Sequence, residues 1–303
     1  MTDRKRPSST RSRRAHRNRP AGKGRRGEIR PPNDVAGGSA TGPDAPRTAS
    51  PGGAEWLYGV HAVAAALANS ERTCHRLLAS RRAMKSHGDQ MWTAIAAARG
   101  DGAKRPEAEH VENDDLERIL AGGAVHQGLA LLVEPLPSPA LEDLLDSLQG
   151  VSTALIVVLD QATDPQNVGA ITRSAVAFGA VALMLQDRHA PSAMGGVAKA
   201  ASGALERLPI VRVTNLARSL WKLKDADFWC LGLDGGAERT LDGIEVPSRL
   251  ALVLGAEGAG LRRLTKETCD DLARIAINEA AESLNLSNAA AVALYATTRP
   301  KKS

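Results

Sequence analysis

The second half of the chain alternates short apolar runs with segments of helical composition. The first run, residues 155–160, is Leu-Ile-Val-Val-Leu-Asp, which is typical of a strand buried on both faces. Further strands are predicted at residues 181–185, 210–213, 228–233 and 251–254. Strands that alternate with helices are joined by crossovers and pair in parallel. The sequence therefore predicts an α/β fold with a mostly parallel sheet.

The last of these strands ends in a glycine-rich turn. Its Gly-x-x-Gly-x-Gly spacing, Gly255 to Gly260, differs from the dinucleotide fingerprint, and no Gly-Lys-Ser or Gly-Lys-Thr follows to make a phosphate loop. Taken alone, such a turn is more often a simple connection than a ligand loop. In open α/β sheets, however, ligands collect at the carboxyl ends of strands. A second apolar segment, residues 275–277, and a helix start near Asn285 are expected to converge there, where a purine cofactor could be held.

Single polar residues around these segments have ordinary explanations. Ser283, Asn285 and Ser287 could cap the last helix, and Asn167 is a plausible N-cap for the helix that follows the first strand. Arg173 lies away from the apolar face of that helix, where an arginine is normally solvated. Taken singly, these residues predict capping and solvation. Their order along the chain indicates more.

The ordered set resembles three motifs of the SPOUT superfamily, specifically the SpoU-type RNA ribose 2′-O-methyltransferases. The motifs are an Asn-x-Gly-x-x-x-Arg helix start, a Gly-x-Glu-Gly loop, and Ser-Leu-Asn before an alanine-rich helix. The matching residues are Asn167, Gly169 and Arg173; Gly255, Glu257 and Gly258; and Ser283, Leu284, Asn285, Ala289 and Ala290. The resemblance covers residues 56–298. A small domain before the catalytic one makes this chain most similar to the bacterial subgroup that methylates a guanosine ribose in 23S ribosomal RNA.

The resemblance implies methyl transfer from S-adenosylmethionine to a ribose 2′-hydroxyl. Such an enzyme brings the reacting atoms to roughly 3–3.5 Å and assists loss of the hydroxyl proton. The catalytic residues that it implies are Arg173, Asn167, Glu257, Ser283 and Asn285. Since a guanidinium is not deprotonated in proteins, Arg173 is expected to hold the adjacent phosphate and to stabilise negative charge on oxygen.

The same resemblance implies a cofactor pocket made largely of main chain. The residues expected to contact S-adenosylmethionine are Leu254, Gly255, Ile275, Ile277 and Leu284. The resemblance alone, and no periodicity of the sequence, also implies a deep trefoil knot that shapes this pocket.

Three positions depart from the family pattern in or near the third motif. Ala276 stands where proline is usual, Glu279 where glycine is common, and Asn288 where an aliphatic residue is expected. Loss of the proline frees the loop backbone, and Glu279 adds charge near the cofactor. These changes are expected to affect cofactor affinity more than the fold.

The beginning of the chain is strongly basic. Residues 1–30 hold twelve arginines and lysines against two acidic residues, a net charge of +10, whereas the other 273 residues carry −5. A segment so rich in Arg, Pro, Gly and Ser cannot bury enough apolar area to fold alone. It also lacks the apolar residues of an amphipathic transit peptide. It is therefore predicted to be a disordered arm that binds RNA phosphates in a salt-dependent way.

Changes of composition divide the chain into four predicted parts. They are a basic tail at residues 1–53, an RNA-binding α/β domain at 54–134, a proline-rich linker at 135–152 and the methyltransferase domain at 153–303. By resemblance, the last strand of the RNA-binding domain includes residues 125–128. The resemblance also implies a homodimer in which the last helix packs across the interface.

Composition excludes several other classes. Aromatic residues make up only 3% of the chain, which argues against recognition by rows of stacked aromatics. Cys74, Cys230 and Cys269 have no paired spacing for zinc and predict reduced thiols in the cytoplasm. The cysteine spacing therefore predicts no metal site. No apolar run approaches 18 residues, so no membrane span is expected.

Two alternative functions remain at this stage. The three motifs equally permit a ribose methyltransferase that acts on transfer RNA, although the small preceding domain favours ribosomal RNA. The other alternative is a catalytically inactive RNA-binding factor in ribosome assembly, suggested by the basic tail and by Ala276, Glu279 and Asn288. Retention of all three motifs argues against it.

Overall fold

Two β-sheets, one of four strands and one of six, organise the part of the chain that the structure describes. In this computed structural model the described residues are 53–99, 104–120, 123–191, 194–278 and 280–299. Residues 1–52, which hold nearly all of the predicted tail, and Glu279 lie outside them.

The first sheet belongs to a small α/β unit. Its elements are β1 (Glu55–Tyr58), α1 (Val60–Ala68), β2 (Cys74–Ala79), α2 (Arg81–Arg99), β3 (Ala108–His110), α3 (Asn113–Ile119) and β4 (Leu129–Val133). The strand order is β1-β4-β2-β3, with β4 antiparallel to both of its neighbours and β3 parallel to β2. Buried leucines of β2 and β4 pack against α1 and α2 and form its core.

The second sheet has six strands, and every pairing in it is parallel. Its elements are α4 (Leu141–Ser147), β5 (Ala154–Leu159), α5 (Pro165–Ala177), β6 (Ala182–Gln186), α6 (Met194–Ala201), β7 (Ile210–Val213), α7 (Leu216–Asp225), β8 (Trp229–Leu233), β9 (Arg249–Leu254), α8 (Arg263–Thr268), β10 (Asp271–Ala273) and α9 (Leu286–Thr298). The order is β10-β8-β9-β5-β6-β7. The predicted α/β fold with a parallel sheet is confirmed.

Helices cover both faces of this sheet. Every residue of β5 is buried, and alternate residues point into two separate apolar clusters. Val157 packs with Ile171 of α5 and Ala290 of α9 on one face, whereas Ile156 packs with Leu220 of α7 on the other. This arrangement explains why the strand is a continuous apolar run, and it puts α5 and α9 on the same side.

Helix α5 begins two residues earlier than its motif asparagine. The Asp164 carboxylate caps the helix by accepting hydrogen bonds from the backbone N–H of Gln166 (3.1 Å) and Asn167 (3.2 Å), and Pro165 occupies the first turn. The prediction that Asn167 is the N-cap is therefore wrong. An Asp-Pro pair favours the start of a helix for two reasons. The carboxylate accepts hydrogen bonds from the free backbone N–H groups of the first turn, and proline itself has no backbone N–H that needs an acceptor. Asn167 is left buried inside the first turn, with its side chain free for other contacts.

Residues 125–128, which were predicted to belong to a strand, and the apolar segment at residues 275–277 are both loops. Residues 125–128 precede β4, and Gln127 (φ 57°) and Gly128 (φ 77°) have left-handed backbones that no strand adopts. Residues 275–277 follow β10, which already ends at Ala273. The first segment leads into β4 and the second leads out of β10, but neither belongs to the strand itself.

Glycines in α5 and α6 allow unusually close packing of α6 against α5 and against β1 of the small unit. A Cβ on Gly169 of α5 would lie 2.4 Å from the Ala200 Cβ of α6, and one on Gly195 of α6 would lie 2.4 Å from the Trp56 carbonyl oxygen of β1. Both approaches are possible only without a side chain. The first motif thus includes one glycine, Gly169, whose role here is packing. Helix α6 thereby connects the small unit to the helix that carries Asn167 and Arg173.

Candidate active site

Three side chains from the three motifs form a hydrogen-bonded triangle. The Asn167 Nδ2 donates to Glu257 Oε2 at 3.1 Å, and the Asn285 Nδ2 donates to Asn167 Oδ1 at 3.0 Å and to Glu257 Oε1 at 3.4 Å. These residues come from α5, from the glycine-rich loop after β9, and from the start of α9. The structure therefore brings together three of the five predicted catalytic residues.

Asn285 has two roles at this point. Its Oδ1 accepts a hydrogen bond from the backbone N–H of Ser287 at 2.9 Å and caps α9, while its Nδ2 completes the triangle. The prediction that Asn285 caps the last helix is confirmed. Ser283 lies two residues before the cap and Ser287 lies inside the helix, so neither is the N-cap. Capping fixes the orientation of the Asn285 amide, and hence which of its atoms faces Asn167 and Glu257.

The glycine-rich loop is a tight hairpin. The backbone groups of Ala256 and Gly260 bond to each other in both directions, at 3.1 and 2.9 Å. Gly255 lies directly beneath the returning chain, where an added Cβ would be 2.1 Å from the Gly260 carbonyl carbon. Gly258 and Gly260 have φ values of 77° and 66°, which favour glycine. These glycines therefore hold Glu257 at the turn.

An ion pair between a fully buried carboxylate and a partly exposed arginine anchors the far end of this loop. Asp160 follows β5 and is fully buried; its Oδ1 accepts from Arg262 Nε at 2.7 Å, and its Oδ2 accepts from the Arg262 backbone N–H at 3.1 Å. This pair was not predicted from the sequence. The only trace of it in the sequence is a carboxylate placed at the end of a fully buried strand. The pair joins the β5 end to the loop that bears Glu257.

Replacing Arg262 by alanine is expected to lower the free energy of unfolding by about 2 kcal/mol, because a buried carboxylate loses its charged donors. Urea denaturation of the full chain measures this. The control is Arg263→Ala, at the neighbouring position. It removes only an exposed ion pair with Glu267, so the free energy of unfolding is expected to change by less than about 0.5 kcal/mol. Equal stability of the two variants would mean that Asp160 does not need Arg262.

A cavity of about 610 Å³ opens beside the triangle. It includes all five residues predicted to contact the cofactor, which are Leu254, Gly255, Ile275, Ile277 and Leu284. Glu257 and Ser283 line it as well. Glu257 thus belongs both to the triangle and to the cavity wall, and the predicted cofactor residues share one space.

Asp234, at the end of β8, is a cavity residue that the sequence analysis missed. It pairs with Lys266, which also lines the cavity, and accepts the backbone N–H of Gly236 at 2.8 Å. Burial alone would raise the pKa of the Asp234 carboxyl, but Lys266 and the Gly236 N–H outweigh it and hold the pKa below its usual value. The cavity therefore contains a carboxylate that is ionised at neutral pH.

Arg173 stands apart from these groups. It is exposed on α5, six residues beyond Asn167, which corresponds to roughly 9 Å along the helix axis. Within the described part of the chain its guanidinium has no hydrogen-bond or ion-pair partner, and it does not line the cavity. The structure thus leaves the Arg173 side chain available to a ligand outside the triangle.

Neither metal ligation nor membrane insertion is indicated by the part of the chain that the structure describes. Those residues contain no cluster of three or more His, Cys, Asp or Glu side chains able to hold a metal ion. None of their helices is long and apolar enough to cross a membrane.

Two family models match successive parts of the chain. The SpoU rRNA Methylase family matches residues 154–295, which contain the six-stranded sheet and all three motifs. The RNA 2′-O ribose methyltransferase substrate-binding family matches residues 56–139, which contain the four-stranded sheet.

Known proteins that resemble this chain in sequence or in fold include bacterial RNA methyltransferases. The 23S rRNA (guanosine-2′-O-)-methyltransferase RlmB of Xylella fastidiosa is 38% identical over 251 residues, 82% of this chain and 97% of the relative. An uncharacterized tRNA/rRNA methyltransferase of Synechocystis is 38% identical over 81% of this chain, and the chain spans 62% of that protein's length. The crystal structure of the SpoU methyltransferase AviRb from Streptomyces viridochromogenes, in complex with S-adenosylmethionine, has a TM-score of 0.66 at 23% identity, covering 81% of this chain and 89% of AviRb. This last likeness shows a common fold. The family model and the RlmB relative show that this chain belongs to the SpoU rRNA methylase family.

Proposed function

We propose that this protein transfers a methyl group from S-adenosylmethionine to the ribose 2′-hydroxyl of a guanosine in 23S ribosomal RNA. The observation that carries the proposal is the triangle of Asn167, Glu257 and Asn285, which joins all three motifs beside a cavity. The choice of RNA rests on the RlmB relatives of Xylella fastidiosa and Photobacterium profundum, which are 38% and 36% identical over 82% of this chain.

The cavity suits S-adenosylmethionine in size and chemistry. Its volume of about 610 Å³ falls within the usual range for cofactor sites. Gly255 lets the returning chain at Gly260 pack directly against it, which shapes this wall of the cavity, and the Asp234 carboxylate offers an acceptor for ribose hydroxyls or the ammonium group of the cofactor. We assign the cofactor contacts to the main chain at Leu254, Gly255 and Ile275, with further contacts at Ile277 and Leu284. When bound, S-adenosylmethionine supplies a methyl group that its own sulfonium charge activates.

The chain's own residues then have to position the ribose and manage its proton. Asn167 and Asn285 each donate to Glu257, so its carboxylate is held in one orientation with lone pairs left for an RNA hydroxyl. Ser283, on the cavity wall, completes this RNA-facing surface. Arg173 is assigned to the phosphate next to the target ribose and to stabilising negative charge on the attacking oxygen. A guanidinium does not accept the proton, so that role falls to the phosphate or to a water.

The proposal includes an organisation for the whole chain. We assign residues 54–134 to RNA binding, residues 135–152 to a linker that contains the packed helix α4, residues 153–303 to methyl transfer, and residues 1–53 to a basic arm. We further propose a homodimer formed through α9, whose Val292 and Tyr295 are exposed, and a cytoplasmic location where ribosomal RNA is made. The trefoil knot implied by the resemblance remains a prediction.

Methyl transfer to defined RNAs tests the proposed function directly. Purified protein is incubated with labelled S-adenosylmethionine and unmodified 23S ribosomal or transfer RNA, and the product nucleotide is identified by mass spectrometry. A 2′-O-methylated guanosine in 23S RNA is expected. The same mark in transfer RNA only would reassign the substrate, and no transfer together with no cofactor binding would favour an inactive assembly factor.

Deleting residues 1–50 is expected to reduce the salt dependence of RNA binding, because fewer phosphates are neutralised and fewer counterions released. The measurement is the slope of log Kd against log salt concentration for 23S RNA, which should flatten by several units. Deleting only residues 31–50, which contain two aspartates and one arginine, is the matched control and should leave the slope unchanged. An unchanged slope in both deletions would rule out an electrostatic arm.

A further inference from the structure

A second cavity, of about 350 Å³, lies in the small α/β unit and shares no wall residue with the cavity beside the triangle. It is formed by the junction of β2 with α2, the start of α3 and the loop before β4. The residues that line it are Ser80, Arg82, Ala83, Ser86, His87, Asn113, His126, Gln127 and Gly128. This set contains hydroxyl, amide, imidazole and guanidinium groups and no Asp or Glu side chain.

His126 presents a hydrogen-bond donor to this cavity. The residue is only 9% exposed, and its Nδ1 accepts the backbone N–H of Gly128 at 3.0 Å. In the neutral imidazole the proton is therefore on Nε2. Nε2 has no partner within the described residues, although the ring lines the cavity. The ring is largely buried, and its free donor faces the cavity, where water or a ligand that replaces water supplies the acceptor.

The loop that carries His126 is held rigidly. Gly128 (φ 77°) packs so closely against Ser80 that an added Cβ would be 2.3 Å from the Ser80 Oγ. Ser80 in turn caps the start of α2 by accepting the backbone N–H of Ala83 at 3.2 Å. The His126 donor and the first turn of α2 are thus fixed relative to each other, as a preformed ligand site requires.

Positive charge adds to these donors. Arg82 is exposed at the cavity in the first turn of α2, with no ion-pair partner among the described residues, and His87 lies one turn further on. The N–H groups and dipole of the first turn of α2 favour an anion as well. Donors and a cation without any opposing carboxylate select an anionic, acceptor-rich group.

We propose that this cavity binds a phosphodiester of the substrate RNA, with Arg82 pairing with the phosphate and His126 Nε2 donating to one of its oxygens or to the neighbouring ribose oxygen. This inference rests on the proposed function and names a second RNA contact remote from the methyl-transfer site. The volume is sufficient for one phosphate and its sugar but not for an extended strand.

The cavity is also connected to the catalytic helix. Gln127, in its wall, accepts hydrogen bonds through Oε1 from the Val60 backbone N–H at 3.2 Å and from Lys199 Nζ of α6. Helix α6 packs against α5 at Gly169, where there is no space for a side chain. An RNA phosphate held here would therefore have a fixed position relative to Asn167 and Arg173, and would set which nucleotide reaches them.

The test uses the full chain and an unmodified 23S RNA transcript. Arg82→Ala is expected to weaken RNA binding about 5- to 10-fold and to lower the slope of log Kd against log salt by about one unit, with cofactor affinity unchanged. His126→Gln, which keeps an N–H donor, should bind more tightly than His126→Ala. Lys104→Ala is the control because Lys104 is an exposed cation of the same unit that does not line the cavity.

The outcomes separate this inference from the proposed function. Methyl transfer by the unaltered chain together with equal RNA affinity of Arg82→Ala and Lys104→Ala would overturn the inference and leave the proposed function standing. Absence of transfer by the unaltered chain would count against the proposed function itself. Calorimetric titration with inorganic phosphate alone is expected to show no binding at millimolar concentration. Tight phosphate binding with unchanged RNA affinity in Arg82→Ala would make this a free-phosphate site and overturn the RNA assignment.

Discussion

Replacing Arg173 by alanine is expected to lower kcat for methyl transfer about 100- to 1,000-fold, the usual cost of removing a group that stabilises charge in the transition state. The substitution should not disturb folding, because Arg173 is exposed and has no partner within the described residues. The decrease should therefore appear in single-turnover rates at saturating RNA and cofactor, with the thermal unfolding temperature unchanged.

Two further variants make the Arg173 experiment specific. Arg173→Lys keeps the charge but loses the planar fork that pairs with a phosphate, so its rate should fall between those of the unaltered chain and the alanine variant. Arg218→Ala removes another exposed helix arginine, from α7 on the opposite face of the sheet, and should retain full activity. Full methyl transfer by Arg173→Ala with normal RNA affinity would remove Arg173 from the mechanism.

Gly255→Ala is expected to weaken S-adenosylmethionine binding roughly 10- to 100-fold, because the new methyl group forces the loop to move at a cost of about 1–3 kcal/mol. The atoms that it would meet are the carbonyl carbon of Gly260 and the backbone nitrogen of Leu261, at 2.1 and 2.3 Å, and neither can rotate away as a side chain would. The hairpin carries Glu257, so methyl transfer should fall with cofactor affinity. Calorimetry with the cofactor measures the binding.

Gly235→Ala is the matched control for this experiment. Gly235 lines the same cavity, but an added Cβ there meets no atom within 4 Å and the backbone is not left-handed. Its cofactor affinity should stay within about twofold of the unaltered chain, a difference of less than about 0.5 kcal/mol. If both alanine variants bound the cofactor normally, the tight hairpin at Gly255 would not be what shapes the binding site.

The predicted sheet could be read from the sequence because its central strands are buried on both faces. β5 and β9 consist almost entirely of Leu, Ile, Val and Ala, and this composition identifies a strand without knowledge of its neighbours. Exact ends were less predictable. Helix α5 starts at Pro165 and not at Asn167. Both Asp164 and Asn167 are residue types that cap helices, and only the folded backbone shows that the Asp164 carboxylate accepts the free N–H groups.

Motif order identified the candidate site residues but not their contacts. Asn167 is 90 residues from Glu257 and 118 from Asn285, so only the folded sheet brings their side chains within 3.0–3.4 Å. The same resemblance grouped Arg173 with them, whereas in the structure Arg173 does not touch the triangle. Its assigned role therefore depends on RNA, which supplies the phosphate.

The sequence by itself determined the alternation of strands and helices, the parallel sheet, and the identity of the residues at the strand ends. These depend on local composition and on spacing along the chain. Only the tertiary structure decided that Asp160 anchors Arg262, that Asp234 lines the cavity beside the triangle, and that His126 faces a second cavity with an unused donor. Each of these depends on burial and on partners distant in sequence, which set the charge and hydrogen-bonding state of a polar group only after the chain has folded.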